Sequence, residues 1–338
     1  MGMTETMRAV ICESYRDYDD LEIMDVPVPG PIGAEDVRIA IKVSGVSWAT
    51  TLMVAGKYQR KLPTPFAPGA EVAGEVLEAG AESGFRAGQR VFAVLDFGGY
   101  AEQVVVHARH VFEIPEGRPM QEGVPVPMSW MTAYGGLVWR AGIKPGDKVM
   151  VHGAAGGVGL PAMEIARVMG CETFAVVRGE AKAAYWRAAG ADHVIDSTHV
   201  NFRDYVAEAT GGRGVDVVYD TVGGEVLHRS LRCLADDGRH VVIGFVGGDI
   251  AQVPSNILLL KNISVCGLNM GQYVGWGVVD ERARFAPMYR AGVAQLTEWW
   301  AEGRIAPKIH AALPLERFRE AMGLVTGREA IGRVVLTL

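Results

Sequence analysis

The stretch that decides the fold is KVMVHGAAGGVG, residues 148–159. An apolar strand candidate runs directly into a loop with the spacing GxxGxxG, and helical sequence continues to about Met169. Small residues let the backbone turn tightly and approach a pyrophosphate closely, while the free N–H groups and dipole of a helix N-terminus favour an anion. The loop therefore predicts a dinucleotide site, although a glycine-rich turn that only connects strand and helix would share this spacing. The predicted contacts are Gly153, Ala155, Gly156, Gly157 and Val158.

Strand and helix candidates alternate around this loop from about Pro127 onwards. Strands that are apolar throughout and separated by helices are typical of a parallel sheet covered on both faces, the doubly wound plan. Six strands are predicted, over residues 148–152, 173–177, 193–195, 215–219, 240–244 and 263–267. Because five further strands accompany the glycine loop, we predict an α/β dinucleotide-binding domain over residues 127–270.

The N-terminal part of the chain has a different pattern, rich in Gly and Pro. Apolar residues alternate with polar ones at Val37, Ile39, Ile41 and Val43, and short strands are predicted near residues 70–79 and 100–106. Beyond about residue 270 a helix over residues 281–302 leads into short strands that end at residues 334–338. We expect this tail to return to the first domain, so residues 1–126 and 271–338 form one β-rich, barrel-like domain.

Composition limits the classes of partner. The chain has 338 residues, enough for two domains, and 49% of them are hydrophobic. The net charge is −6, and the sequence has no long run of residues with the same charge. Nucleic acid and anionic membranes are therefore not expected as partners, whereas a small ligand is expected. Four cysteines without CxxC spacing argue against a disulfide framework or a cysteine-rich zinc site. With no apolar run of about 20 residues, we expect a soluble, cytoplasmic protein.

The residues after the second predicted strand bear on the choice between NAD and NADP. NAD sites normally carry a carboxylate at this strand end, which binds the ribose 2′-hydroxyl. Here residues 176–179 read VVRG, and the first carboxylate is Glu180. Arg178 and Lys182 are four residues apart and could share one helix face to hold a 2′-phosphate, so NADPH is predicted. The alternative is that both are solvated surface cations.

Several further segments, taken together, resemble the medium-chain dehydrogenase/reductase superfamily, and within it the zinc-independent quinone oxidoreductase and zeta-crystallin branch. They are GKYQ (residues 56–59), PGAEVAG (68–74), the loop at 152–159, GADHVI (190–195), DVVYDTVGG (216–224) and GRVVL (332–336). The resemblance covers the full length. It implies a GroES-like catalytic domain from both chain ends, a Rossmann domain between, a cleft where they meet, and a homodimer formed through Rossmann edge strands.

The resemblance also implies the absence of a catalytic zinc. Zinc alcohol dehydrogenases of this superfamily bind the metal with two Cys and one His, and the matching positions here are Ser47, Ala70 and Met128. None is a plausible zinc ligand, because zinc prefers thiolate, imidazole or carboxylate. The segment with four close cysteines that binds a structural zinc is also missing. Without a metal to activate a hydroxyl group, reduction of an electrophilic substrate is expected.

By the same resemblance, a further set of residues should lie at the cofactor: Thr132, Gly244, Phe245, Leu268, Met270 and Arg333. The protein mainly has to position the nicotinamide, exclude water and stabilise developing negative charge. Tyr58 is the predicted hydrogen-bond or proton donor to the substrate oxygen. Alternatively it only shapes the cleft, since a solvent proton would suffice.

The sequence departs from the branch where substrate is expected. Quinone reductases of this type have Gly-Val-Asn-x-x-Asp where residues 45–50 read GVSWAT. Two hydroxyls, Ser47 and Thr50, replace the amide and the carboxylate, and Trp48 adds an indole beside them. We expect these three residues to set substrate preference, with ordinary packing as the alternative for Trp48. Ser197 stands where many relatives have a Tyr near the 2′-phosphate.

The leading prediction is an NADPH-dependent quinone oxidoreductase that reduces a small, electron-poor carbonyl compound. One alternative is reduction of an activated C=C bond in an enone, acrylyl thioester or haloacrylate. Another is a protein that binds NADPH without catalysis, although no basic stripe with aromatic residues suggests RNA as its partner.

Overall fold

The structure is a computed structural model that describes residues 5–338. The chain divides into two units: residues up to Met128 together with Gly271–Leu338 form the first, and Ser129–Met270 form the second. The sequence pattern predicts these boundaries after residues 126 and 270.

The elements of regular structure are numbered in chain order. The strands are β1 (Thr6–Ile11), β2 (Glu22–Pro27), β3 (Asp36–Val46), β4 (Glu71–Ala79), β5 (Arg90–Val94), β6 (Gln103–His107), β7 (Val111–Glu113), β8 (Lys148–His152), β9 (Glu172–Val177), β10 (His193–Asp196), β11 (Val215–Asp220), β12 (Leu234–Val242), β13 (Ser264–Gly267), β14 (Ile309–Pro314) and β15 (Arg333–Thr337). The helices are α1 (Trp48–Val54), α2 (Met120–Gly123), α3 (Met131–Tyr134), α4 (Gly159–Val168), α5 (Glu180–Ala188), α6 (Phe202–Ala209), α7 (Glu225–Leu231), α8 (Ser255–Lys261), α9 (Met270–Tyr273), α10 (Arg282–Ala301) and α11 (Phe318–Thr326). Short 3₁₀ turns occupy Tyr18–Asp20, Ala108–His110 and Leu315–Arg317, and π-helical segments occupy Val126–Trp130 and Gly135–Ala141.

The second unit contains the predicted parallel sheet. Its six strands lie in the order β10, β9, β8, β11, β12, β13, and every neighbouring pair is parallel. The order reverses between β8 and β11, so the glycine loop after β8 lies at the switch point where doubly wound sheets bind their ligands. Buried residues such as Phe174, Ile195 and Val218 form the core beneath the helices. The α/β fold class predicted from the alternation is therefore confirmed.

One strand differs from its prediction. β12 begins at Leu234, six residues before the predicted start at His240, because Leu234 pairs with Val215 across the sheet. The pairing is then interrupted by a bulge, in which Asp237 has a φ of 59°. The sequence Asp236-Asp237-Gly238 has the composition of a turn, so a local pattern could not identify it as a bulge inside a strand.

The first unit is built on a mixed, mostly antiparallel sheet. Its strand order is β14, β15, β3, β4, β5, β7, with β6 also paired to β3, and β1 and β2 form a separate hairpin. The alternation predicted for β3 is present, since the side chains of Val37, Ile39, Ile41 and Val43 are all buried. The C-terminal strand β15 pairs antiparallel with β3, so the tail returns to this unit as predicted.

Three kinds of feature are absent from residues 5–338. No helix in this range has the length and apolar character needed to cross a lipid bilayer. All four cysteines are free, and no three His, Cys, Asp or Glu side chains are grouped to hold a metal ion.

Candidate active site

The glycine loop is a tight turn that only small residues can form. Gly153 has a φ of +66°, and a Cβ at this position would lie 2.6 Å from the Thr221 hydroxyl oxygen. The Gly156 N–H donates to the Gly153 carbonyl over 2.9 Å, and a Cβ on Gly159 would overlap that same carbonyl oxygen. Gly153 is therefore required by its positive φ and by the Thr221 side chain, and Gly159 by the Gly153 carbonyl, whereas a Cβ on Gly156 would lie 3.3 Å from that carbonyl, a tight contact.

The same loop presents unpaired donors at the start of α4. Within residues 5–338, the backbone N–H groups of Ala155, Gly157 and Val158 have no hydrogen-bond acceptor. They precede a helix of ten residues whose N-terminus has no side-chain cap. Free N–H groups at the positive end of a helix dipole are the arrangement that binds a phosphate or pyrophosphate. The loop therefore has the geometry and the donors that a dinucleotide requires.

The turn after β11 packs against the first glycine. The Thr221 hydroxyl donates to the His152 carbonyl over 3.0 Å, and the Asp220 carboxylate accepts from the N–H groups of Val222 and Gly223 at 2.7 and 3.0 Å. Burial raises the pKa of Asp220, but hydrogen bonds from His240 and Gly223 together with the nearby histidines outweigh burial and hold this pKa below its usual value. An ionised Asp220 thus shapes the turn beside the glycine loop.

Residues predicted at the nicotinamide lie at this same edge of the sheet. A Cβ on Gly244 would lie 3.5 Å from the Thr221 carbonyl oxygen. A Cβ on Gly223 would lie 2.9 Å from the Phe245 ring. The strand ends of β11 and β12 thus bring Gly244 and Phe245 to the turn that borders the glycine loop.

A second group packs around α3. The side chains of Met270 and Leu268 lie 2.8 and 3.2 Å from the Cβ position of Gly135. Gly135 directly follows α3, which contains Thr132. The structure therefore places Leu268 and Met270 against the residue that follows α3, and contact of Thr132, Leu268 and Met270 with a cofactor stays a prediction.

Arg178 does not share a helix face with Lys182. Gly179, with a φ of +93° and a ψ of 147°, separates Arg178 from α5, which begins at Glu180. Arg178 is exposed at the carboxyl end of β9, and Lys182 is half-buried in the first turn of the helix. The helix begins two residues after Arg178, and a spacing of four places side chains on one face only when both residues are inside a helix.

The turn that holds Arg178 is anchored by a buried carboxylate. Asp196 accepts from the Gly179 N–H at 2.9 Å and from the Thr198 N–H at 3.0 Å. These hydrogen bonds lower the pKa of Asp196, so the group stays ionised. The Ser197 hydroxyl donates to the Val177 backbone carbonyl over 2.9 Å. Nearby, the carboxylate of Glu180 pairs with Arg187 at 2.6 Å.

In the first unit the three residues that depart from the family pattern form one cluster. Ser47 caps α1 by accepting from the Thr50 N–H at 3.3 Å, and the two hydroxyl oxygens are 3.0 Å apart. Trp48 begins the helix and is half-buried, with the guanidinium carbon of Arg328 6.0 Å from its ring. Two mutually bonded hydroxyls therefore occupy the positions of an amide and a carboxylate.

Arg333 belongs to a buried network that the sequence did not reveal. Its guanidinium forms an ion pair with the Glu71 carboxylate, and both side chains are almost fully buried. A Cβ on Gly45 would lie 3.0 Å from each of these two groups, so glycine leaves room for the pair. Tyr100 donates to the Gly45 carbonyl over 3.4 Å and also bonds Thr50. The Nε of Arg333 has no partner within residues 5–338, and its predicted role at the cofactor stays a prediction.

Tyr58 lies in the bend that follows α1. The N–H groups of Lys57 and Tyr58 both donate to the Leu52 carbonyl, over 2.8 and 3.1 Å. Burial raises the pKa of the Tyr58 phenol, and the positive charge of Arg60 opposes that increase. The phenol is thus protonated at neutral pH and can donate a hydrogen bond.

Comparison with known proteins gives matches in both units. Residues 33–116 match the family model described as "Alcohol dehydrogenase GroES-like domain", and residues 157–286 match "Zinc-binding dehydrogenase". The Rattus norvegicus protein called "Quinone oxidoreductase-like protein 2" is 37% identical over 339 residues, covering 100% of this chain and 94% of its own. The Homo sapiens "Quinone oxidoreductase" is 30% identical over 338 residues, covering 98% of each.

A solved structure agrees with these matches. The mycobacterial Rv1454c structure, described as complexed with NADPH, superposes with a TM-score of 0.87 at 27% identity. It covers 98% of this chain and 100% of its own. The sequence similarity is therefore accompanied by similarity of the whole fold.

Proposed function

Since the chain belongs to the quinone oxidoreductase branch of the medium-chain dehydrogenase/reductase superfamily and is an NAD(P)-dependent oxidoreductase, we propose that it uses NADPH to reduce a quinone or a similar electron-poor carbonyl compound. The observation that carries this proposal is the glycine loop, where three unpaired backbone N–H groups precede α4. The loop fits a pyrophosphate by geometry and by chemistry. When bound, the cofactor supplies the hydride.

The proposal assigns the remaining tasks to side chains of this chain. The amides of Ala155, Gly157 and Val158 hold the pyrophosphate, and the residues at the carboxyl ends of β12 and β13 border the nicotinamide. The protonated phenol of Tyr58 donates to the acceptor oxygen, where negative charge develops. The Ser47 and Thr50 hydroxyls and the Trp48 ring contact the acceptor and set its preference.

We also propose that no zinc takes part. The chemistry of the donor set supports this proposal, because a serine hydroxyl, an alanine methyl and a methionine thioether stand at Ser47, Ala70 and Met128. Elemental analysis of the purified protein tests the proposal, and zinc at one equivalent per chain would refute it.

A panel of acceptors tests the reaction itself. Steady-state rates with quinones, enones and aldehydes would be measured with NADPH and NADH, together with product analysis. We expect quinones to be reduced fastest. Saturation of 2-cyclohexenone at a rate well above quinone turnover would assign the activity to C=C reduction instead. Tight NADPH binding without reduction of any acceptor would identify a binding protein.

Preference for NADPH over NADH rests on Arg178. Its cation follows β9 directly, at the strand end where NAD sites carry a carboxylate. Loss of a hydrogen bond to a charged group costs about 1.5–3 kcal/mol, which corresponds to roughly 10- to 150-fold in affinity. We expect Arg178→Ala to raise the KM for NADPH by about this factor and that for NADH much less, with a smaller effect for Lys182→Ala.

Arg203→Ala is the matched control, because Arg203 is an exposed arginine of the same unit, located on α6. Arg203→Ala should change neither the KM for NADPH nor the KM for NADH. Equal effects of Arg178→Ala on the two cofactors would remove the proposed role of Arg178.

We propose a homodimer as the assembly. β13 forms one edge of the six-stranded sheet, and the adjoining α8 exposes Leu259 and Leu260 at 79% and 78%. An open strand edge beside two exposed leucines is a surface that a second copy could cover.

A further inference from the structure

The bend that carries Tyr58 is fixed at several points. Before Tyr58, the Leu52 carbonyl accepts two backbone N–H groups, as described above. Gly56, with a φ of +65°, lies against the Tyr15 ring, whose atoms would be 2.9 Å from a Cβ there. After Tyr58, the Tyr15 hydroxyl donates to the Leu62 carbonyl over 2.5 Å. These contacts fix the backbone before and after Tyr58, and Arg60 then joins the bend to another segment of the same unit.

Arg60 is bound by Asp96, which follows β5. The Asp96 Oδ1 accepts from Arg60 Nη1 at 3.0 Å and from the Trp276 indole N–H at 3.1 Å. The Nη2 of Arg282 lies 3.1 Å from both Asp96 oxygens. One carboxylate therefore joins the Tyr58 bend, the turn after β5 and the segment that leads into α10.

Among the described residues, Asp96 is the carboxylate that forms an ion pair with Arg60, and Asp280 acts on Arg60 only through its charge. Arg282 has a second carboxylate, because its Nε also bonds Asp280 at 2.9 Å. Within residues 5–338, Arg60 pairs with Asp96 alone. The side chains of Arg60, Asp96 and Arg282 are 24%, 32% and 22% exposed, so water screens the cluster only in part. Without the Asp96 charge, Arg60 would lose its ion pair, whereas Arg282 would keep the one with Asp280.

Arg60 also acts on Tyr58 through its charge. Arg60 is the charged group whose field opposes the effect of burial on the Tyr58 phenol. Lys57 and Lys61 on the same bend are exposed to solvent. A nearby cation makes a phenol a stronger hydrogen-bond donor, because it stabilises negative charge on the oxygen.

We propose that Arg60, held in place by Asp96, is the positioning residue that aims Tyr58 at the acceptor oxygen and strengthens it as a donor. This inference rests on the proposed role of Tyr58 in acceptor binding. Neither Arg60 nor Asp96 touches the reacting atoms in this proposal, so both act through Tyr58.

The test compares Arg60→Gln, Arg60→Lys, Asp96→Asn and Tyr58→Phe, with menadione as the acceptor and NADPH at saturation. We expect Arg60→Gln and Asp96→Asn to lower kcat/KM for menadione by about tenfold, the size of one lost hydrogen bond to a charged group. The dissociation constant for NADPH should not change. Arg60→Lys keeps the charge and should recover most of the loss.

A double variant separates a path through Tyr58 from a general structural effect. In the Tyr58→Phe background, Arg60→Gln should cause little further loss, because the group on which it acts is gone. The matched control is Arg38→Gln, which removes a partly buried ion pair with Glu78 (3.2 Å) in the same unit and should leave menadione kinetics unchanged. Thermal melting checks that each variant is folded.

The outcomes distinguish the inference from the function on which it rests. If the unmodified protein reduces no acceptor, or if Tyr58→Phe has full activity, the proposed function of the site fails. If Tyr58→Phe is slow while Arg60→Gln is not, only the positioning role of Arg60 is refuted. An equal loss from Arg60→Gln in both backgrounds would also refute it, since Arg60 would then act independently of Tyr58.

Discussion

Replacing His152 should change how the stability of the protein depends on pH. His152 is fully buried at the end of β8, with its Nε2 2.8 Å from the Ser230 hydroxyl and its ring against Phe202. Burial lowers the pKa of His152 to about 4 from 6.5, and the negative charge of Asp220 opposes this decrease only in part. In the unfolded chain the same imidazole would titrate near its usual value.

The sign and the size follow from this difference. The unfolded state takes up a proton at higher pH than the folded state. Neutral His152 therefore contributes its full share to the free energy of unfolding above pH 6.5, and this share is lost as the pH falls toward 4. At about 1.4 kcal/mol per pH unit of difference, the free energy of unfolding should fall by about 2 kcal/mol between pH 7 and pH 5 from this residue alone. The limiting loss below pH 4 is about 3 kcal/mol.

The measurement is urea unfolding of the protein and of His152→Gln at pH 7, 6 and 5, at constant ionic strength, followed by tryptophan fluorescence. Glutamine keeps an N–H donor for Ser230 and cannot titrate. His110, whose pKa burial also lowers to about 4, contributes equally to both proteins and cancels. We expect the variant to lose about 2 kcal/mol less than the unmodified protein between pH 7 and pH 5. Equal losses would refute the reasoning that burial keeps His152 neutral.

Two other predictions concern the glycine loop and the assembly. Gly153→Ala should weaken NADPH binding about tenfold or more and destabilise the fold by about 1–2 kcal/mol, because its Cβ would meet Thr221 at 2.6 Å. Gly84→Ala has a similar φ of +77° with nothing within 4 Å, so fluorescence titration with NADPH should show unchanged affinity for this control. Leu259→Glu combined with Leu260→Glu should convert the proposed dimer to a monomer in analytical ultracentrifugation, whereas the control Leu77→Glu, at an exposed position of β4, should not. A monomeric unmodified protein would refute the proposed interface.

Local patterns predict much of this fold. The alternation along β3, the apolar strands of the second unit and the helix now seen as α10 were all accessible from residues close together in the chain. Such patterns suffice because a buried strand or an amphipathic helix must repeat its apolar residues with a fixed period. The first residues of β12 were not predicted, because its bulge has the residues of a turn. Only the pairing of Leu234 with Val215 shows that the strand continues.

The candidate site was predictable only in part. The glycine loop carries its own signal, since its tight turn and its free amides both follow from consecutive small residues. The prediction for Arg178 and Lys182 failed in its geometry, because one residue, Gly179, keeps Arg178 outside α5. Asp220 ends a buried strand and caps the turn after it, and a carboxylate at that position of the sequence is the signal that could have predicted this role.

Taken alone, the sequence determined the α/β class, the place of the dinucleotide loop and the absence of conventional zinc ligands at Ser47, Ala70 and Met128, because each depends on residue type or on neighbours in the chain. Tertiary structure alone decided the partners of the charged groups. Arg333 meets Glu71 across 262 residues, and Asp96 gathers Arg60 and Arg282 from segments 36 and 186 residues away. A buried charge has to find an opposite charge or a hydrogen bond somewhere in the folded chain, and no local pattern specifies which one it finds.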